Sequence, residues 1–125
     1  MSTTYTPTDE LLATPEADRI RWAEALESGE YKQGYRRMFV NGSYCCLGVW
    51  ERINGALESG LLKKALPLAM YNPTHLGDRL PQYIKFATSG DGIRHSPQLL
   101  NDDCGFTFPE IAQLLRGNSV SKEAS

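Results

Sequence analysis

The chain has little of what usually announces a chemistry. Its 125 residues include three cysteines and two histidines, without CxxC or HxxxH spacing, so no zinc framework is legible. Gly34 and Gly42 build neither a phosphate-binding loop nor a dinucleotide fingerprint. No apolar run approaches the roughly 18 to 20 residues of a membrane helix. The opening MSTTYTPTDE lacks both the basic and the apolar region of a signal peptide, so a cytoplasmic protein without a membrane partner is expected. An odd number of cysteines then implies free thiols in a reducing compartment, not a disulfide framework. Neither sign of charge dominates: 13 basic and 15 acidic residues leave a net charge of −2. That balance removes any bulk drive toward duplex DNA and disfavours nucleic acid as a partner, although it leaves room for a local basic patch.

What is present is the composition of one globular unit. Hydrophobic residues make up 41% and charged residues 22%, with two tryptophans and six tyrosines, unlike a disordered chain. A single core is expected at this length. The polar ends lack apolar periodicity, so residues 1–13 and 118–125 read as flexible segments around one domain at 14–117.

Within that domain, Thr14-Pro15-Glu16 predicts a helix start, with Thr14 as cap, running to about Ser28 and stopped by Gly29. Ile20, Ala23 and Leu26 form its apolar stripe, with Trp22 as a core anchor beside them. Tyr35 to Val40 and Ser43 to Cys46 flank Asn41-Gly42, a dipeptide suited to a type I′ hairpin turn. A short helix over 47–53 follows, with Val49, Trp50 and Ile53 facing the core and Asn54-Gly55 ending it. Residues 56–80, broken by Pro67 and Pro73, read as irregular loop with a helical turn near 61–66. Tyr83 to Thr88, SGDG at 89–92 and Ile93 to His95 suggest a second hairpin. Thr107-Phe108-Pro109-Glu110 fits a capping box that places Ile111, Leu114 and Leu115 on one face before Gly117. The fold class expected is a small α+β domain: two hairpins forming an antiparallel sheet and three or four short helices.

The segments WAEALESGEYKQG at 22–34, YCCLGV at 44–49 and LNDDCGFTFPEIAQLL at 100–115 resemble a widespread family of small phage and prophage proteins. The resemblance covers about residues 20–116. It implies a phage context and carries over no catalytic residue.

Several residues invite a chemical reading. Cys45 and Cys46 are adjacent, and on a strand they would point to opposite faces, with one buried and neither suited to a shared disulfide or metal. A zinc set drawn from them with Cys104, His75 and His95 lacks the spacing, so no metal or cofactor is expected. Asn101, Asp102 and Asp103 beside Gly105 read either as a polar loop or as carboxylates for magnesium or acid–base work, with His95 as a further candidate base. FPEIAQLLR at 108–116 resembles the first helix of a helix-turn-helix, but no apolar second helix follows it.

The strongest binding candidate is Tyr31 to Tyr44, where Lys32, Arg36 and Arg37 lie among Tyr31, Tyr35 and Tyr44. Guanidinium forks engage phosphate and aromatic rings stack on bases. The alternative is a solvated hairpin whose aromatics cover the core. The reading reached is an accessory protein that binds a host protein or a nucleotide-type small molecule, in counter-defence or host modulation, with homo-oligomerisation left open. The rivals are a small hydrolase or transferase using Asp102, Asp103 and His95, and a DNA-binding regulator.

Overall fold

The computed structural model describes residues 2–40, 42–55 and 74–123. Most of the expected loop at 56–80, and Asn41 of the hairpin turn, lie outside the described residues. The fold is α+β. Among the described residues it comprises β1 (Ser2–Pro7), α1 (Asp9–Leu12), α2 (Glu16–Glu27), β2 (Lys32–Gln33), β3 (Phe39–Val40), β4 (Ser43–Tyr44) and α3 (Cys46–Ile53), then β5 (Ala87–Thr88), β6 (Arg94–His95), α4 (Pro97–Asp102), α5 (Phe108–Leu115) and β7 (Val120–Glu123). A 3-10 turn at Pro81–Tyr83 stands before β5. No helix among the described residues is long and apolar enough to cross a membrane.

The two polar ends, expected as flexible segments, pair with each other instead. β1 lies antiparallel to β7 from Ser2↔Glu123 to Tyr5↔Val120, and β5 and β6 complete a four-stranded sheet in the order β6-β5-β1-β7. Strand β1 alternates exposed with part-buried residues, a period of two made of threonines, Ser2 and Tyr5 rather than of strong apolar side chains. A weak apolar alternation is easily mistaken for a tail when its partner strand is about 115 residues away.

Thr14 does not cap α2. Its hydroxyl donates to the Leu11 carbonyl at 2.6 Å and so closes α1, while Pro15 takes the position before α2 without a side-chain cap. The face of α2 holds Trp22, Ala23 and Leu26 in the core, with Arg19 also buried. That guanidinium donates from Nη1 to the Leu115 carbonyl at the end of α5, at 2.8 Å, and from Nε to the Thr14 carbonyl at 3.4 Å. A buried cation spent on a helix C-terminus meets both a hydrogen-bond requirement and the negative end of the dipole.

Trp22 and Trp50 meet with ring centroids 4.9 Å apart, and both are essentially without solvent contact. Burying an indole of roughly 200 Å² contributes on the order of 5 kcal/mol at about 25 cal/mol/Å². The Trp22 Nε1 donates to the Cys46 carbonyl at 3.1 Å and the Trp50 Nε1 to the Thr74 carbonyl at 2.9 Å. Ile53, expected in the core, is only partly buried beside it. The capping box at Thr107 and Glu110 is formed in both directions.

The first hairpin forms with shorter strands than expected. Phe39↔Tyr44 and Val40↔Ser43 pair antiparallel, and Gly42 has the positive φ of 81° that such a turn demands. Strand β2 then adds to β4 in parallel, making a second, three-stranded sheet in the order β2-β4-β3. Tyr35 to Met38 are not part of a strand, because Arg36 takes a left-handed φ of 66° that breaks the extended run. The second hairpin forms between Ala87–Thr88 and Arg94–His95.

Candidate functional site

Cys45 and Cys46 stand at the start of α3, not on a strand, and both are buried. A strand alternation does not apply at a helix start, so the expectation that only one is buried is corrected. Burial pushes the Cys45 thiol up to about 11, despite opposing amides of Gly48 and Leu47. Burial, with the neighbouring Cys45 and Asp102, raises Cys46 well above its ordinary range. Both are neutral thiols at physiological pH, inert as nucleophiles.

Asn101 and Asp102 are not in a loop: they form the last turn of α4, with Asp103 as its cap. Asn101 is fully buried and works as a junction. Its Oδ1 accepts from the Cys46 amide at 3.2 Å and from Gln33 Nε2 at 3.0 Å, while its Nδ2 donates to the Gly34 carbonyl at 2.9 Å and to Asp102 Oδ1 at 2.8 Å. Gln33 in turn donates to the Phe106 carbonyl and accepts from the Phe108 amide. These two carboxamides tie β2, α3, α4 and α5 together. The sequence reading passed over Gln33, whose position in the YKQG segment shows no periodicity of its own.

The structure joins two groups of candidates that sequence spacing kept separate. Asp102 Oδ1 accepts the Arg36 amide at 2.9 Å, and the Arg36 guanidinium meets Asp103 Oδ1 at 3.0 Å. The left-handed conformation of a non-glycine residue costs roughly 1–2 kcal/mol, which the charge-assisted bond from Asp102 offsets. Asp102 therefore positions Arg36. Arg36, Arg37, Met38, Cys45, Leu47, Gln98 and Asp102 line a cleft of about 100 Å³. Its apolar lining is Met38, Leu47 and the neutral Cys45 thiol, and its cations are two adjacent arginines. Gln98 donates through Nε2 to the Gln82 carbonyl at 3.0 Å, yet its Oε1 is buried with no partner among the described residues. An orphaned buried acceptor costs about 1–3 kcal/mol.

The aromatic candidates do not line this cleft. Tyr44 packs edge-on against Tyr31 at 5.3 Å and tilted against Phe39 at 4.8 Å, and Tyr31 and Tyr44 are partly buried against the core. Tyr35 is 55% exposed, and Lys32 is exposed on β2. The ring nitrogens of His95 face Ser89 Oγ at 3.2 Å and Cys104 Sγ at 3.8 Å. His75 is exposed. No group of three or more His, Cys, Asp or Glu side chains able to hold a metal ion occurs among the described residues. The helix carrying FPEIAQLLR, α5, leads into β7 and not into a second helix.

No curated protein and no solved structure matches the chain. A family model described as a domain of unknown function, DUF8296, matches residues 17–60. That span contains five of the cleft residues, Arg36, Arg37, Met38, Cys45 and Leu47, whereas Gln98, Asp102, His95 and Cys104 lie beyond it.

Proposed function

We propose that the chain is a small cytoplasmic accessory protein of phage or prophage origin that binds an anionic, nucleotide-type small molecule at the Arg36–Arg37 cleft, in a counter-defence or host-modulating role. The phage context rests on the sequence resemblance alone. The observation that carries the binding reading is Arg36 itself: a strained left-handed residue, held by Asp102 next to a second arginine at the mouth of an apolar cleft. Strain retained at a charged surface position points to use.

The volume limits what enters. About 100 Å³ is smaller than the roughly 150 Å³ cavity that takes up a benzene ring, so the cleft holds one ring edge or one phosphate and the remainder of the ligand lies outside it. A phosphate engages Arg37 and the outward face of Arg36. Asp102 opposes an anion, but its Oδ1 is committed to the Arg36 amide and the Asn101 carboxamide.

The test is mass spectrometry of small molecules released from the purified, denatured protein, followed by calorimetric titration with a panel of mono-, di- and cyclic nucleotides. Loss of one charge-assisted contact is expected to weaken binding by about tenfold or more in Arg37→Ala. Arg36→Gly removes the cation while suiting the left-handed backbone, so it loses binding with little change in stability. No released nucleotide and no binding heat at millimolar concentration would overturn the reading.

A further inference from the structure

A second cluster forms where β1, the β5–β6 hairpin and the segment after α4 meet. Ser89 lies in the hairpin turn, His95 on β6, Tyr5 on β1 and Cys104 just beyond α4. The Tyr5 ring lies against the His95 ring at 5.5 Å. Hydrogen-bond valence fixes the tautomer of the histidine. Ser89 has one hydroxyl proton, and its neighbours Asp91 Oδ1 and the Ile93 carbonyl are both acceptors. The proton goes to one of them, so the Ser89 oxygen accepts from His95 Nε2, 3.2 Å away. A neutral imidazole protonated on Nε2 has its basic lone pair on Nδ1, and Nδ1 is the nitrogen that faces Cys104 Sγ at 3.8 Å.

We propose that Cys104 is a nucleophilic thiol, with His95 as its base and Ser89 and Asp91 as positioning groups, and that it undergoes exchange with low-molecular-weight disulfides. His95 Nδ1 takes the thiol proton as the Cys104 sulfur attacks one sulfur of R–S–S–R. The S–S bond breaks, Cys104–S–S–R forms, and the departing thiolate takes the proton back from the imidazolium to leave as R–SH. The disulfide is the oxidant, Cys104 is oxidised, and no other reactant is consumed.

Three further observations support this assignment. Cys104 is only partly buried, whereas Cys45 and Cys46 are buried, so exchange falls on one of three thiols. Burial and Asp103 push the Cys104 thiol up while a hydrogen bond from Tyr5 opposes them; the resting form is the thiol, and attack needs the base that His95 supplies. The S···N distance of 3.8 Å is long for a hydrogen bond, as the bonds of an unliganded nucleophile–base pair often are.

The experiment treats the native full chain with excess oxidised glutathione and follows intact mass, with peptide mapping of the adduct. One adduct on Cys104 is expected, absent from Cys104→Ser and formed about a hundredfold or more slowly in His95→Gln, the lower range of general-base assistance. Ser89→Ala is expected to slow the reaction and to move the His95 nitrogen NMR shifts away from the Nε2–H tautomer. First modification at Cys45 or Cys46, or an unchanged rate in a folded His95→Gln, overturns the proposal. Should His95→Gln not fold, unchanged nitrogen shifts and an unchanged rate in Ser89→Ala overturn it equally.

Discussion

Gln33 and Asn101 meet side chain to side chain, the Gln33 Nε2 donating to the Asn101 Oδ1 at 3.0 Å. Each then bonds backbone on elements that are far apart in sequence. Gln33 takes the Phe106 carbonyl and the Phe108 amide; Asn101 takes the Gly34 carbonyl and the Cys46 amide. A polar pair with one member fully buried and the other partly so specifies one arrangement of the chain, since a shift leaves donors or acceptors unpaired in low dielectric.

Replacing Asn101 by Ala is therefore expected to destabilise the fold strongly. It orphans the Cys46 amide, the Gly34 carbonyl and a Gln33 donor together, at about 1–3 kcal/mol for each group. A loss of roughly 3 kcal/mol or more in urea denaturation is expected, with unchanged denaturant slope. A change below about 1 kcal/mol would remove the junction role.

Gly48 offers a sharper steric test. A Cβ built there would lie 1.8 Å from the Met38 carbonyl oxygen, a backbone atom that cannot turn aside. Gly48→Ala must separate α3 from the segment that carries Arg36 to Met38. Overpacking a tight site costs 1–3 kcal/mol or more, so a loss of at least about 2 kcal/mol is expected by thermal or urea unfolding, together with weaker ligand binding, because Met38 and Leu47 both line the cleft.

Acid should act through Glu10. Burial raises its carboxyl, but the Lys85 amide and the cations of Arg79 and Arg94 outweigh that effect and hold it below its ordinary 4.5. A carboxyl lowered in the folded state adds stability above its unfolded value and loses it as pH falls through the folded value. Stability measured by urea titration is thus expected to fall as pH drops below the ordinary carboxyl value of 4.5. In Glu10→Gln the stability at pH 7 is lower and the acid slope is shallower. Equal slopes in the two proteins would show that Glu10 does not couple folding to protonation.

The local signals that stood clear in the sequence were those with a short-range cause. The Thr107–Glu110 capping box, the Gly42 turn and the Trp22 anchor each depend on residues within about one turn or one hairpin of one another. The capping box and the Trp22 anchor are present as read, and Gly42 has the positive φ the turn asks of it. Thr14 is a local exception, turning to Leu11 three residues back because α1 ends there. Other elements depend on a remote partner: Ser2–Pro7 is a strand only because Val120–Glu123 pairs with it. The candidate residues behaved likewise. Arg36 and Asp102 were both singled out, but 66 residues separate them, and no spacing rule joins them.

By itself, then, the sequence determined the fold class, the helices α2, α3 and α5 and both hairpins, but not α1 or α4, since propensity, capping and periodicity act over a few residues. Tertiary structure alone decided that Asp102 holds Arg36 at a cleft, that Tyr31 and Tyr44 pack against the core, and that His95 faces Ser89 and Cys104. Those outcomes depend on which distant polar groups must satisfy one another once water is excluded, and a linear pattern does not encode that pairing.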